Sequence, residues 1–276
     1  MLIADSQVHI WAADTPERPW PKRHGPHRPV PLGKDELLRE MDVAGVDRVV
    51  IVPPGWEGDR VDLGLAAAQA HPERFAVMGR FDAEAHDARE RLAAWKSQPG
   101  MLGIRVTFHT PQLEPLLTEN RIDWLWGAAE RHGIPMAVLA PHHLLHRIDA
   151  IAARHPGLRI AIDHLGILKG TRGAEAFAGL DKLLALAPRQ NIAVKASGMP
   201  AYSAEPYPFR DLHPHLRRVY DVFGPRRIFW GSDLSKLKCS YRQAITLFTE
   251  ELPWLTADDK EWIMGRALCD WLEWSR

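Results

Sequence analysis

Eight short apolar runs, each followed by a helical pattern, predict that this chain of 276 residues folds as a (β/α)8, or TIM, barrel in a single domain, 1–276. Two further observations point the same way. The runs are continuously apolar rather than alternating, as parallel strands covered by helices should be. Polar and charged residues collect at their C-terminal ends, where barrel sites are built: Gln7 and His9, Arg80, Arg105, His142, His164, Lys195 and Asp233. A doubly wound parallel sheet is the alternative topology for the same alternation.

The strands are expected over 2–10, 48–52, 75–81, 103–108, 135–140, 159–163, 192–196 and 227–231, about one βα unit apart. Amphipathic helices are expected over 35–44, 60–70, 83–97, 121–132, 144–155, 174–186, 212–223 and 241–252. Gly45, Gly133, Gly157 and Gly224 stand just before the next strand, where a helix must stop. An extra C-terminal helix is expected over 257–274, with Thr256 as its N-cap and Asp259 three residues on. Residues 12–33 form the long irregular stretch, with six prolines and Arg18, Trp20, Lys22, Arg23, His24, His27 and Arg28. A loop of that length after strand one predicts a lid or binding loop over the barrel mouth; the alternative is a packed, proline-stiffened surface loop.

Composition narrows the function. Hydrophobic residues make up 46%, enough for an ordinary globular core, and 35 basic side chains balance 35 acidic ones. That balance gives no support to a nucleic-acid or membrane-surface partner. No apolar run approaches the ~18 residues of a bilayer span. Cys239 and Cys269 are too few for a disulfide framework and lack metal spacing, so a reducing cytoplasm is expected. The N-terminus enters a strand with no basic or apolar leader segment, so export is not expected. There is no phosphate-cradling glycine loop and no Gly-x-Ser-x-Gly nucleophile elbow.

Strand one reads Asp5-Ser6-Gln7-Val8-His9-Ile10-Trp11. Side chains two apart on a strand share a face, and His-x-His at this point is a common way to hold a divalent metal. Here Gln7 stands in the first of those positions. Together with Gly103-Ile104-Arg105, Ile162-Asp163-His164-Leu165-Gly166 and Trp230-Gly231-Ser232-Asp233, each at the end of the matching strand, the chain resembles the amidohydrolase superfamily. The similarity is to the branch containing 2-pyrone-4,6-dicarboxylate lactonase and related sugar and muconolactone lactonases, and it spans essentially the whole chain.

The resemblance implies that Asp233 activates water and then protonates the leaving group, cycling between its ionised and protonated forms. It implies that His9 and His164, with Gln7, either orient the bound carbonyl as hydrogen-bond donors or, for the histidines, ligate a metal. Arg105 resembles the strand-four arginine that binds a substrate carboxylate, for which its planar fork is suited. Lys195 could serve the same anion. His142 and Trp11 complete the expected substrate-binding set, with Trp11 as a wall. The bland reading of each histidine is a satisfied core residue, and of Asp233 a turn or N-cap aspartate. Asp163 precedes His164 and is expected to face the helix layer. Trp124, Trp126, Trp262 and Trp271 are expected in barrel-to-helix packing.

Gln7 offers only a neutral amide oxygen, a poor zinc ligand, which leaves His9, His164 and Asp233 as the ligands of a single divalent metal if one is bound. A lactone is activated enough for water attack without a Lewis acid, so the expected function is metal-independent opening of a lactone of a small carboxylated compound. The alternatives are a zinc-dependent non-oxidative decarboxylase of an aromatic acid and a catalytically inactive barrel that binds a small acid. The exact substrate and the oligomeric state are not legible in the sequence.

Overall fold

The computed structural model describes residues 1–20 and 25–275. Lys22, Arg23 and His24 of the long loop lie outside the described residues. The strands are β1 (Ala4–Val8), β2 (Arg48–Ile51), β3 (Phe75–Arg80), β4 (Met101–Thr107), β5 (Met136–Leu139), β6 (Ile160–Ile162), β7 (Ile192–Ser197) and β8 (Ile228–Gly231). They form one parallel sheet in sequential order, β1 to β8. The two ends of the sheet meet: the Asp233 N–H donates to the Gln7 carbonyl at 3.0 Å, and the Ser232 N–H to Asp5 Oδ1 at 2.9 Å. The chain is therefore a (β/α)8 barrel, and the doubly wound alternative falls.

The helices are α1 (Lys34–Ala44), α2 (Asp62–Ala70), α3 (Ala88–Ala93), α4 (Glu114–Thr118), α5 (Asp123–Arg131), α6 (Leu145–Arg154), α7 (Gly173–Phe177), α8 (Leu180–Leu184), α9 (His213–Phe223), α10 (Tyr241–Thr249), α11 (Ala257–Glu261) and α12 (Ala267–Leu272). Three differ from expectation. The helix foreseen over 83–97 is only α3 followed by a single 3-10 turn, Trp95–Ser97. The helix over 174–186 breaks into α7 and α8 around Gly179, where a side chain would strike the His142 ring at 2.5 Å. The C-terminal helix starts with the foreseen Thr256–Asp259 capping box but passes through a π turn, Trp262–Arg266. Gly265 in that turn lies so close to β1 that a Cβ would come within 2.6 Å of the Leu2 carbonyl oxygen. The short helix α4 was not foreseen.

The barrel interior is filled mostly by small side chains, including Ala4, Ala76, Ala137, Ala161 and Ala193, together with Val50, Met78 and Phe229. The same cluster takes in Trp262, Leu268 and Leu272 from the C-terminal helical segment, which packs against the N-terminal end of the barrel. The opposite, C-terminal mouth is left for the polar residues. All four tryptophans pack as expected: Trp126 and Trp262 are buried, and the half-buried Trp271 and Trp124 pack against the core, Trp271 on Phe229 at 5.8 Å and Trp124 with the Arg89 guanidinium over its ring. Neither cysteine is in a disulfide, and no helix among the described residues is long and apolar enough to cross a membrane.

Candidate active site

Asp233 follows β8 in a left-handed conformation (φ 49°, ψ 46°), as does His164 after β6 (φ 53°, ψ 32°). Non-glycine residues rarely adopt that region; of the six described here that do, His164 and Asp233 meet across the barrel mouth. Asp233 Oδ1 lies 3.3 Å from His9 Nε2, and Oδ2 lies 3.9 Å from His164 Nε2. Lys236 donates to Oδ2 at 2.6 Å from the turn Leu234–Lys236. Asp233, His9 and His164 are all buried. Oδ1 of Asp233 and Nε2 of His164 lack an aligned hydrogen-bond partner among the described residues.

The ring tautomers follow from the partners. His9 Nδ1 is 2.6 Å from the Val52 carbonyl oxygen, which only accepts, so Nδ1 carries the proton. His164 Nδ1 sits 3.2 Å from the Ser197 carbonyl and 2.9 Å from its hydroxyl, and is assigned the proton on the same ground. Burial pushes His164 down to about 4 and lowers His9 as well. Both rings are therefore neutral near pH 7, and both turn an Nε2 lone pair toward Asp233. Burial alone would raise Asp233. The Lys236 charge beside it overrides burial and holds the carboxyl well below the usual range, so it is ionised. With these tautomers the histidines present acceptors at Nε2, where the resemblance implied donors to a carbonyl oxygen.

The His164 shift has a consequence for stability. Its pKa falls from 6.5 to about 4 on folding, so the unfolded chain binds the proton first on acidification. The stability contributed above pH 6.5 is lost as pH falls toward 4. Asp5, pushed up to about 6 by burial, opposes this by taking a proton in the folded chain first. His164→Gln should flatten the fall in thermal midpoint across this window; an unchanged profile would contradict the assignment of a neutral His164.

A second buried group lies deeper in the barrel. Asp163 Oδ2 accepts from Arg105 Nε at 2.8 Å, Oδ1 pairs with Lys195 Nζ at 2.9 Å, and Lys195 donates to Gln7 Oε1 at 3.1 Å. Asp163 therefore faces the barrel interior, not the helix layer as its place before His164 implied. β6 ends at Ile162, and strand alternation does not extend into the turn Asp163–Gly166 that follows. Burial would raise Asp163, but Lys195 and Arg105 hold it well below the usual range. β1 is irregular too: its register against β2 shifts between Asp5 and Val8, and Asp5 Oδ1 accepts the Gln7 N–H inside that irregularity. Gln7 is fully buried, and its Nε2 lacks a partner among the described residues.

Asp233 and His164 open on a cavity of about 480 Å³, whose other walls include Lys236, His27, Tyr202 and Lys169. The four expected substrate contacts fall elsewhere. Arg105 lines a neighbouring cavity of about 220 Å³ with Arg80, and Lys195 is buried in the ion cluster. The His142 Nε2 bonds the Leu165 carbonyl at 2.9 Å, and Trp11 is buried edge-on to Trp56 at 5.4 Å. The residues missed by sequence are Lys236, Ser235, Tyr202 and the cavity role of His27. A lysine three residues after Asp233 was the one available signal, because a tight turn returns it over the carboxylate. The long loop reaches the cavity through His27, whose Nδ1 lies 2.8 Å from Ser235 Oγ; Arg18 anchors its near end to Glu57 and Asp62.

A buried carboxylate faces two imidazoles at the C-terminal mouth of a (β/α)8 barrel, the end at which enzymes of this fold build their active sites. More narrowly, the chain belongs to the amidohydrolase family: that family's model, described as Amidohydrolase, matches residues 4–267. A relative, L-fucono-1,5-lactonase of Burkholderia ambifaria, is 30% identical over 241 residues, covering 83% of this chain and 79% of that one. An amidohydrolase of Burkholderia multivorans, solved with bound zinc, superposes with a TM-score of 0.82 at 21% identity over 99% of both chains. A putative 2-pyrone-4,6-dicarboxylic acid hydrolase of Pseudomonas putida gives 0.75 at 20% identity, over 100% of this chain and 98% of that one. At those identities the solved structures speak to the fold.

Proposed function

We propose that the chain opens a lactone of a small carboxylated compound, with Asp233 as the group that moves the proton and without a tightly bound metal. The observation that carries this is the ionised Asp233, its Oδ1 uncommitted, facing two neutral Nε2 atoms beside an open cavity. Three acceptors converging on one point suit a water molecule, which brings two protons. That water's oxygen bonds to the lactone carbonyl carbon while its proton passes to Asp233. The tetrahedral intermediate then collapses, the ring C–O bond breaks, and Asp233 returns the proton to the leaving oxygen. The product is the open hydroxy acid. Gln7 Nε2 is the uncommitted amide donor near this group. The 30%-identical lactonase supports the ester reading.

Zinc needs three protein ligands and an open position. Gln7 Oε1 is engaged by Lys195, the Asp233 carboxylate is matched by Lys236, and in this arrangement, with Lys236 in place, no three His, Cys, Asp or Glu among the described residues are disposed to hold an ion. This donor set is a poor fit to a tightly held zinc. A substrate carboxylate is matched by the cationic cavity wall of Lys169, Arg172 and Lys238. Arg105, whose Nε is committed to Asp163, is less suited to it.

The test is product stoichiometry over a panel of sugar-acid and ring-cleavage lactones. One equivalent of acid per lactone opened, with no carbon dioxide, is the expected result. Carbon dioxide from an aromatic acid would replace this reading with the decarboxylase one, and ligand binding without turnover would leave a binding barrel.

A further inference from the structure

Lys236 has no part in the proton transfers above, yet it makes the shortest contact to Asp233, 2.6 Å from Nζ to Oδ2. The turn is built for that contact. It begins at Asp233 in a left-handed conformation, and the Lys236 N–H closes it on the Asp233 carbonyl at 2.8 Å. The remaining faces of the carboxylate meet His9 Nε2 and His164 Nε2. A carboxylate and two imidazole lone pairs directed at one another attract a positive charge, which in many enzymes is a divalent ion. Here one ammonium group stands against that set, and the amide of Gln7 is turned away to Lys195.

We propose that the Lys236 ammonium is the built-in cation of this site, holding the electrostatic place of a divalent metal and drawing the lactone carbonyl oxygen to itself, so that the carbonyl carbon comes within reach of water held at Asp233. The last clause rests on the lactonase reading; the first does not. An ammonium neutralises one charge but coordinates no ligands as a metal does, and Lys236 donates to Asp233 rather than to the imidazoles, so His9 and His164 keep their lone pairs for water. A zinc ion entering beside Lys236 would meet like charge at close range, which repels it even in a watery dielectric. The other groups near this point include His27 from the long loop, lowered to about 3 by burial and by Lys236, Lys169 from the loop after β6, Tyr202, and the paired Arg105 and Asp163 behind the histidines.

Zinc titration of the full chain, followed by calorimetry, tests the proposal. Lys236→Met should bind one zinc per chain about tenfold or more tighter than the wild type, the size expected for removing one nearby charge. Lys236→Arg keeps the charge and should stay weak. Lys238→Met removes a charge from the same cavity without touching Asp233 and should also stay weak. Lys236→Gln serves if the methionine variant does not fold. Tight one-to-one zinc binding by the wild type, or no gain in either neutral variant, overturns the proposal. On a lactone substrate, Lys236→Met should lose kcat more than KM, with part of the loss restored by zinc. If the wild type opens no lactone while the zinc result holds, the built-in cation stands and the lactone clause falls.

Discussion

Asp233→Asn is expected to lower kcat for lactone opening by roughly 10²–10⁴-fold, the range for removing a general acid–base group. The substitution keeps the shape of the side chain but removes its capacity to take a proton. The loss should appear in kcat rather than in KM, because the cavity walls that hold the substrate are other residues. Folding should be little affected, since Lys236, the partner left behind, is 29% exposed and can turn to water. Steady-state kinetics and thermal unfolding on the same preparation check both halves. An Asn variant within about threefold of wild-type kcat would remove Asp233 from the chemistry.

The largest effect on stability is expected at Asp163. Arg105 and Lys195 are 7% and 2% exposed, and Asp163 is their shared counter-charge in the barrel. Asp163→Asn leaves two buried cations facing a neutral amide. Breaking a buried ion pair from one side costs about 3–5 kcal/mol. At about 2–4 °C per kcal/mol for a large domain, the thermal midpoint should fall by many degrees. Gln7 Oε1 remains as an acceptor for Lys195 and offsets only a small part of the loss. If Asp163→Asn unfolds at the wild-type temperature yet loses activity, the cluster belongs to the substrate site and not to the scaffold.

The barrel was legible because its signals are local and repeated: eight apolar runs, helices between them, and polar residues at the same end of each. The His9, His164 and Asp233 grouping was legible for the same reason, since position at a strand end decides which side chains meet at the mouth. What escaped lies where the backbone leaves the strand geometry. Asp163 was read by alternation, which stops at Ile162, one residue before it. Lys236 comes to Asp233 through a turn that starts in the left-handed region, and no spacing rule for strands or helices foresees that. Arg105 occupies the expected strand end, but its partner comes from the turn after β6, and only the folded barrel shows that Asp163 claims it. The proton positions on His9 and His164 likewise depend on carbonyls far off in sequence, at Val52 and Ser197.

The account turns on water activation by Asp233 with a lysine, and no tightly held metal, as the neighbouring cation. The direct test is lactone turnover by purified protein after exhaustive chelation, with metal content measured on the assayed sample. Undiminished kcat at far below one metal per chain is the predicted result. Activity that vanishes on chelation and returns in proportion to added zinc, reaching its maximum at one ion per chain, would contradict it.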